Sequence, residues 1–267
     1  LEVHVLALDV PELAQSLHET VEVGGVALAR NRLQNRDSQA LVGRARRGGG
    51  ALPALRRAYN PHMDGDAVEL PIFELPLVLL PGELLPLHIF EDRYKRMIAR
   101  CLEDGEPFGV VFRDTDGGAR RVGCEDRVTE VTERFADGRL NIVVTGERPF
   151  KVLDRFEASE FPSGEVEPVE TIGDEAEEDD TKADGATSAR EAFADLVEKV
   201  GGEKPDRAAL DALDSYGIAA RVELPPDTKQ RLLELRSEGE RMTILARALG
   251  TLVDTVSTTA GTIATRR

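Results

Sequence analysis

The sequence predicts an α+β fold, with a small, strongly curved β-barrel carrying one inserted helix and a helical bundle after it. Three observations carry this. Between about residues 69 and 170, short apolar runs are broken at intervals by Pro, Gly and Asp, the punctuation of strands and turns. From about residue 189 the apolar positions instead recur every three or four residues, which is the helical period. Between them lies GDEAEEDDTKADGATS, residues 173–188, with seven acids, one Lys and no large apolar side chain, the composition of a solvated linker. With 267 residues, 41% of them apolar, the chain can bury an ordinary core.

The barrel opens on LPIFELPLVLLPGELLPLHIFEDRY, residues 70–94. Residues 74–80 read as one strand and 84–90 as the next, joined by Pro81-Gly82. There proline presets the first turn angle and glycine accepts the positive φ of a type II turn. Pro71 is expected to precede the first strand, and Pro76 and Pro86 to sit at bulges or edges where no ladder N–H is required. EDRYKRMIARCLEDG then places Tyr94, Met97, Ile98, Cys101 and Leu102 on one helical stripe, with Gly105 as the stop. Further strands are expected at 108–112, about 122–135, 140–146 and 150–156, with turns at DTDGG and ADGR.

In the last part, Ala192, Phe193, Leu196, Val197 and Val200 form one stripe, and Leu210 and Leu213 begin another. PPDTKQRLLELRS starts a third helix with prolines where a first turn tolerates them. Ser237 and Glu240 make a capping box for a fourth, whose apolar face runs from Met242 to Val256. The domain reading is therefore barrel over 63–172, linker over 173–188 and helical part over 189–267. Residues 1–62 hold 8 Lys+Arg against 6 Asp+Glu, and the remainder 26 against 44, together giving the net charge of −16. Because of that contrast, residues 1–62 are read as a disordered or non-native extension with one weak helix around PELAQSLHETVE, and Met63 as the natural start.

A search for catalytic or metal chemistry returns little. There is no phosphate-cradling G-x-x-x-x-G-K-[ST], no G-x-G-x-x-G, no H-E-x-x-H, no C-x-x-C and no G-x-S-x-G. Cys101 and Cys124 lack partners at ligand spacing and read as small buried hydrophobes. Asp114, Asp116 and Glu125 occupy positions 1, 3 and 12 of a calcium loop, but the required glycine is Ala119, so a hairpin turn is the better reading. His88 and Glu91 stand three apart and are weighed as an acid/base pair against a structural histidine, which is favoured. No cofactor and no metal are expected. No apolar run is long enough to span a membrane, and the start lacks the basic-then-apolar order of a secretory signal, so a cytoplasmic location and no membrane partner are expected.

The P-x-F-x-L-P-L-V-L-x-P-G opening, the L-P-L-x-I-F-E-x-R-Y junction, PFGVVF and DGRLNIVVTGERPFKVL follow one another over about residues 69–170. In this they resemble the LON substrate-binding domain found at the N-terminus of ATP-dependent Lon proteases and in stand-alone proteins. The resemblance implies a PUA-like β-barrel followed by a helical bundle, and a role in binding unfolded or specific polypeptide clients, alone or as an adaptor in protein quality control. A separate protease is an implied partner, since the nucleotide-hydrolysing and Ser-Lys peptidase modules of a full Lon protease have no counterpart in this sequence. The motif residues Pro81, Gly82, Leu85, Pro86, Leu87, Phe90, Glu91, Arg93, Tyr94, Gly146, Glu147 and Arg148 read as fold determinants, and no catalytic residue is carried over.

Two other classes were weighed. PUA-like barrels elsewhere bind RNA, but a net −18 over residues 63–267 offers no basic stripe, so no nucleic-acid partner is expected. A hydrolase would have to rest on His88 and Glu91. The candidate peptide-binding residues are Pro86, His88, Phe90 and Glu91, where prolines leave a strand edge open to an added strand. Nothing in the sequence indicates the oligomeric state.

Overall fold

The computed structural model describes residues 20–23, 26–29, 67–114, 118–157, 160–171 and 180–264. The chain divides into two compact units, one ending at Pro168 and one beginning at Val169.

The first unit is a single sheet of eight strands: β1 (Thr20–Val23), β2 (Val26–Ala29), β3 (Val68–Leu75), β4 (Leu84–Ile89), β5 (Phe108–Phe112), β6 (Val122–Arg134), β7 (Leu140–Glu157) and β8 (Pro162–Pro168). Their order is β1-β2-β4-β7-β6-β5-β3-β8, and β8 also pairs with β7. Strands β7, β6, β5, β3 and β8 thereby close a ring, from which β4, β2 and β1 extend as a flange, so the barrel is uneven. Among the described strands, β3 and β5 form the one parallel pair.

Both faces of β3 and β5 are covered, which explains their continuous apolar runs. Leu70 and Ile72 of β3 join Val111, Phe150, Val152 and Val166 in one core cluster. Phe73 and Leu75 join Phe108, Val110, Ile142 and Val144 in another. The second cluster is completed by helix α1 (Asp92–Asp104), which buries Tyr94, Met97, Ile98 and Cys101 as its stripe predicts and stops at Gly105, φ 67°.

The prolines follow a rule that the sequence reading misses. Pro71 lies inside β3 rather than before it. Residues 68–71 of β3 pair with β8 and residues 72–75 pair with β5, so Pro71 sits where the strand changes partner and one side needs no N–H. Pro149 repeats this in β7. The predicted strands 140–146 and 150–156 are one strand, because Pro149 keeps its β6 partner Cys124 while lying between the β4-paired residues 140–145 and the β8-paired residues 150–157. Pro76 ends β3 at Leu75, so residues 76–80 are not strand. Pro81-Gly82 makes the expected turn, with Gly82 at φ 78° and the Glu83 N–H donating to the Leu80 carbonyl at 3.0 Å.

Within residues 1–62, most of which lie outside the described residues, the expectation of disorder with a weak helix near residues 11–22 meets two strands. β1 pairs with β2 in the register Val23↔Val26, and Gly24-Gly25 between them is a composition that two-residue hairpins use. The β-branched Thr20, Val21, Val23 and Val26 favour strand over helix.

The second unit contains α2 (Asp180–Lys199), α3 (Arg207–Asp211), α4 (Ser215–Ala219), α5 (Pro226–Glu234) and α6 (Glu238–Ala264). Helix α2 starts inside the stretch read as linker, while residues 173–179 lie outside the described residues. Acids in a first turn favour a helix N-terminus, so the charge that signalled solvation is compatible with helix from Asp180 on. Helices α2, α4 and α5 each contact α6, burying Phe193, Leu196, Ile218, Leu232, Leu233, Met242, Leu245 and Leu249. Half of the predicted capping box forms, the Glu240 N–H donating to Ser237 Oγ at 3.3 Å. The buried Arg241 fastens this unit, donating to Glu238 Oε2, to Ser215 Oγ at 3.0 Å and to the Leu235 carbonyl at 2.9 Å. Among the described residues no helix is long and apolar enough to cross a membrane.

Candidate peptide-binding edge

Strand β4 carries Pro86 and His88, and Phe90 and Glu91 follow its end. Its inner neighbour is β7, with Leu84↔Thr145 through Ile89↔Leu140 in unbroken register. Pro86 is buried and lies opposite Val143. Along a strand successive N–H groups point to opposite sides. The arrangement that costs the β7 ladder nothing turns the N–H-less side of Pro86 outward, and His88, two residues on, then presents its own N–H and C=O outward. On that outer side lies β2, in the register Leu28↔Leu87, Ala27↔His88 and Val26↔Ile89.

The His88 side chain is held from below. Asn141 Nδ2 donates to Glu133 Oε2 at 2.9 Å, so Asn141 Oδ1 is the acceptor facing His88 Nδ1 at 2.6 Å. His88 Nδ1 therefore carries a proton and donates it. Asn141 is only 6% exposed, and the chain Glu133–Asn141–His88 fixes the ring on a half-exposed surface. Phe90 stacks on His88 with centroids 5.9 Å apart, and Phe135 meets it edge-on at 5.7 Å. Arg139 lies over the Phe135 ring at 4.9 Å. The result is a shelf of three half-exposed rings beside a strand edge.

Glu91 is apart from this shelf in its bonding. It precedes α1 as the N-cap with no side-chain cap bond, and its Oε2 accepts from Arg93 Nε at 2.7 Å. His88 and Glu91 thus bond to different partners, and the pairing weighed for a hydrolase is not made. The structure brings together Pro86, His88 and Phe90. It adds Phe135, Asn141, Glu133 and Arg139, which sequence reasoning missed; the ADGR turn after β6 was the available signal, since a hairpin there sets Glu133 opposite Asn141.

Asp126 on β6 is fully buried. Its Oδ2 accepts the Val110 N–H at 2.8 Å while Oδ1 has no hydrogen-bond partner. Burial pushes its carboxyl well above the usual range, with the Val110 N–H opposing, which favours the protonated form. Cys124 and Cys101 are free and buried, as expected, and burial raises both thiols, Cys101 to about 12. They are inert by that criterion. Of the calcium-loop positions, Asp116 lies outside the described residues and Glu125 is bonded to Arg148 at 3.0 Å. Arg113 and Ala119 form an isolated antiparallel bridge, and residues 115–117 between them lie outside the described residues. Among the described residues no three His, Cys, Asp or Glu side chains group as metal ligands.

Residues 69–250 match the family model of the ATP-dependent protease La (LON) substrate-binding domain. The chain is 28% identical over 240 residues to the Lon protease of Anaeromyxobacter dehalogenans (strain 2CP-C), covering 81% of this chain and 28% of that protein. It is 24% identical over 185 residues to the Lon protease of Cytophaga hutchinsonii, covering 63% and 22%. The chain therefore spans only about a quarter of the length of these relatives. Among solved structures, the N-terminal domain of Mycobacterium avium complex Lon protease shares the fold with a TM-score of 0.52 at 18% identity, covering 68% of this chain and 98% of that one. A Lon N-terminal domain protein from Xanthomonas campestris aligns at 25% identity with a TM-score of 0.48, over 66% and 95%. With 69–250 matched, more than half its length, the chain belongs to the LON substrate-binding domain family.

Proposed function

We propose that this chain is a non-catalytic polypeptide-recognition module of cytoplasmic protein quality control, acting alone or as an adaptor that presents unfolded or specific clients to a separate protease. The helical part is read as the second half of the same module. Family membership supports substrate recognition as the role, and one observation supports its place: the outer edge of β4 already carries an antiparallel strand, in register from Leu87 to Ile89. An edge that accepts one extended segment offers main-chain hydrogen bonds to any other, with side-chain selection left to the neighbouring shelf. Pro86, His88 and Phe90 form the edge and shelf, and Glu91 supplies negative charge at its end.

The test is binding of labelled, reduced and carboxymethylated lactalbumin. A short edge with a few apolar contacts gives about micromolar affinity or weaker. His88→Gln keeps a donor for Asn141 Oδ1 and removes the ring; Phe90→Ser removes the shelf. Both should weaken binding several-fold with the melting midpoint unchanged. Unaltered binding by both variants would remove this edge as the site.

A further inference from the structure

We infer that residues 26–29 are a tethered self-ligand, a built-in competitor that occupies the β4 edge and must leave before a client strand can bind. The inference rests on the polypeptide-recognition reading and goes beyond it by naming what the edge holds and how access to it is controlled.

The register is the first support. Val26↔Ile89, Ala27↔His88 and Leu28↔Leu87 centre β2 on His88, whose N–H and C=O face outward, and β2 stops one residue short of Pro86, which has no N–H to offer. The second is composition. Val26–Ala29 reads VALA, four small or branched uncharged residues, in a chain with net charge −16. An edge filled by such a segment selects clients with a short uncharged apolar run. The third is connectivity. Among the described strands β2 pairs only with β4 and β1, so the β4 edge is what joins this hairpin to the rest of the sheet. A strand of the same chain seated on that edge competes with a client for it and masks a weak site without closing it permanently. Apparent client affinity then falls by the fraction of molecules whose edge is open.

The experiment uses the full chain and Ala27→Pro, which deletes the N–H opposite His88. Hydrogen exchange at the His88 amide reports docking, and labelled carboxymethylated lactalbumin reports client binding. The expected result is faster exchange at His88 and about tenfold tighter binding, with added peptide TVEVGGVALA restoring the weaker value. A second variant guards against misfolding: Ala27→Cys with His88→Cys, which when reduced should bind client several-fold more weakly than Ala27→Pro because the His88 ring is lost, and when oxidised should lose that remaining binding. Unchanged client binding by Ala27→Pro, with exchange either faster or unaltered, overturns the self-ligand. Binding by neither the parent chain nor either variant would instead overturn the recognition reading and the self-ligand with it.

Discussion

Gly82 and Gly146 are bonded backbone to backbone. The Gly82 N–H donates to the Gly146 carbonyl at 2.8 Å, and the Gly146 N–H donates to the carbonyl of Glu83 at 3.0 Å. The P-G turn before β4 is thus fastened to the bulge of β7, where Glu125 pairs with Arg148, Asp126 with Gly146, and Glu147 is the extra residue. A Cβ on Gly146 would lie 2.3 Å from the Leu80 carbonyl oxygen, whereas one on Gly82 meets nothing within 4 Å.

Gly146→Ala should therefore cost about 3 kcal/mol, since the overlap is with backbone and cannot be relieved by a rotamer. Gly82→Ala should cost only about 1 kcal/mol, from its positive φ. Urea midpoints of the two variants check the order. Equal losses would mean that the contact is not what holds the turn.

Asp126→Asn should stabilise the barrel near neutral pH. The carboxyl is raised when folded, so the folded state holds a proton that the unfolded state releases above its ordinary value of 3.8. Stability contributed by this group is full below that value and falls as pH rises toward the folded pKa. The advantage of Asn over Asp should thus shrink in mildly acidic buffer. A difference between the two proteins that is flat with pH would refute a buried neutral carboxyl.

Arg148→Ala should destabilise by about 2 kcal/mol, because the Glu125 carboxylate it binds is 5% exposed. The figure stands below that for a fully buried pair because the Arg148 side chain is 33% exposed. The Arg127–Glu147 pair, 2.9 Å apart but more than a third exposed on both sides, should give less than half of that when Arg127 is replaced. Thermal melts of both variants decide the ranking.

Gly185→Val should loosen the helical unit. A Cβ at 185 would lie 2.6 Å from Thr243 Oγ1 and 3.4 Å from its Cα, so α2 approaches α6 closely there. The expected readout is an earlier loss of helical circular dichroism on heating. If Gly185→Val melts like the parent chain, residues 180–188 belong to a linker after all.

Much of the fold was legible because local rules and long-range partners agreed. The stripe Tyr94–Cys101 faces one core, FGVVF is buried on every residue, and Pro81-Gly82 has one good turn to make. What escaped were positions whose meaning is set by a distant neighbour. Pro71 and Pro149 look like strand breaks until the change of partner beside each is known. Gly185 looks like spacer until Thr243 is brought to it. The same holds at the edge. Pro86, His88 and Phe90 could be picked out from one strand, whereas Asn141 and Phe135 join them only through the β6–β7 hairpin, and residues 20–29 only through pairing with β4.

Strand β7 carries a wider consequence. Its first six residues hold β4, its last eight hold β8, and β6 runs beside both, so the β4 edge and the closure of the ring share one uninterrupted backbone. Opening new termini at 147–149 and joining the old ones would leave every strand pair nominally available, yet would turn one spine into two. Such a circular permutant should lose cooperativity before it loses secondary structure, with the flange melting apart from the ring and the edge strand losing its rigidity while the ring still stands.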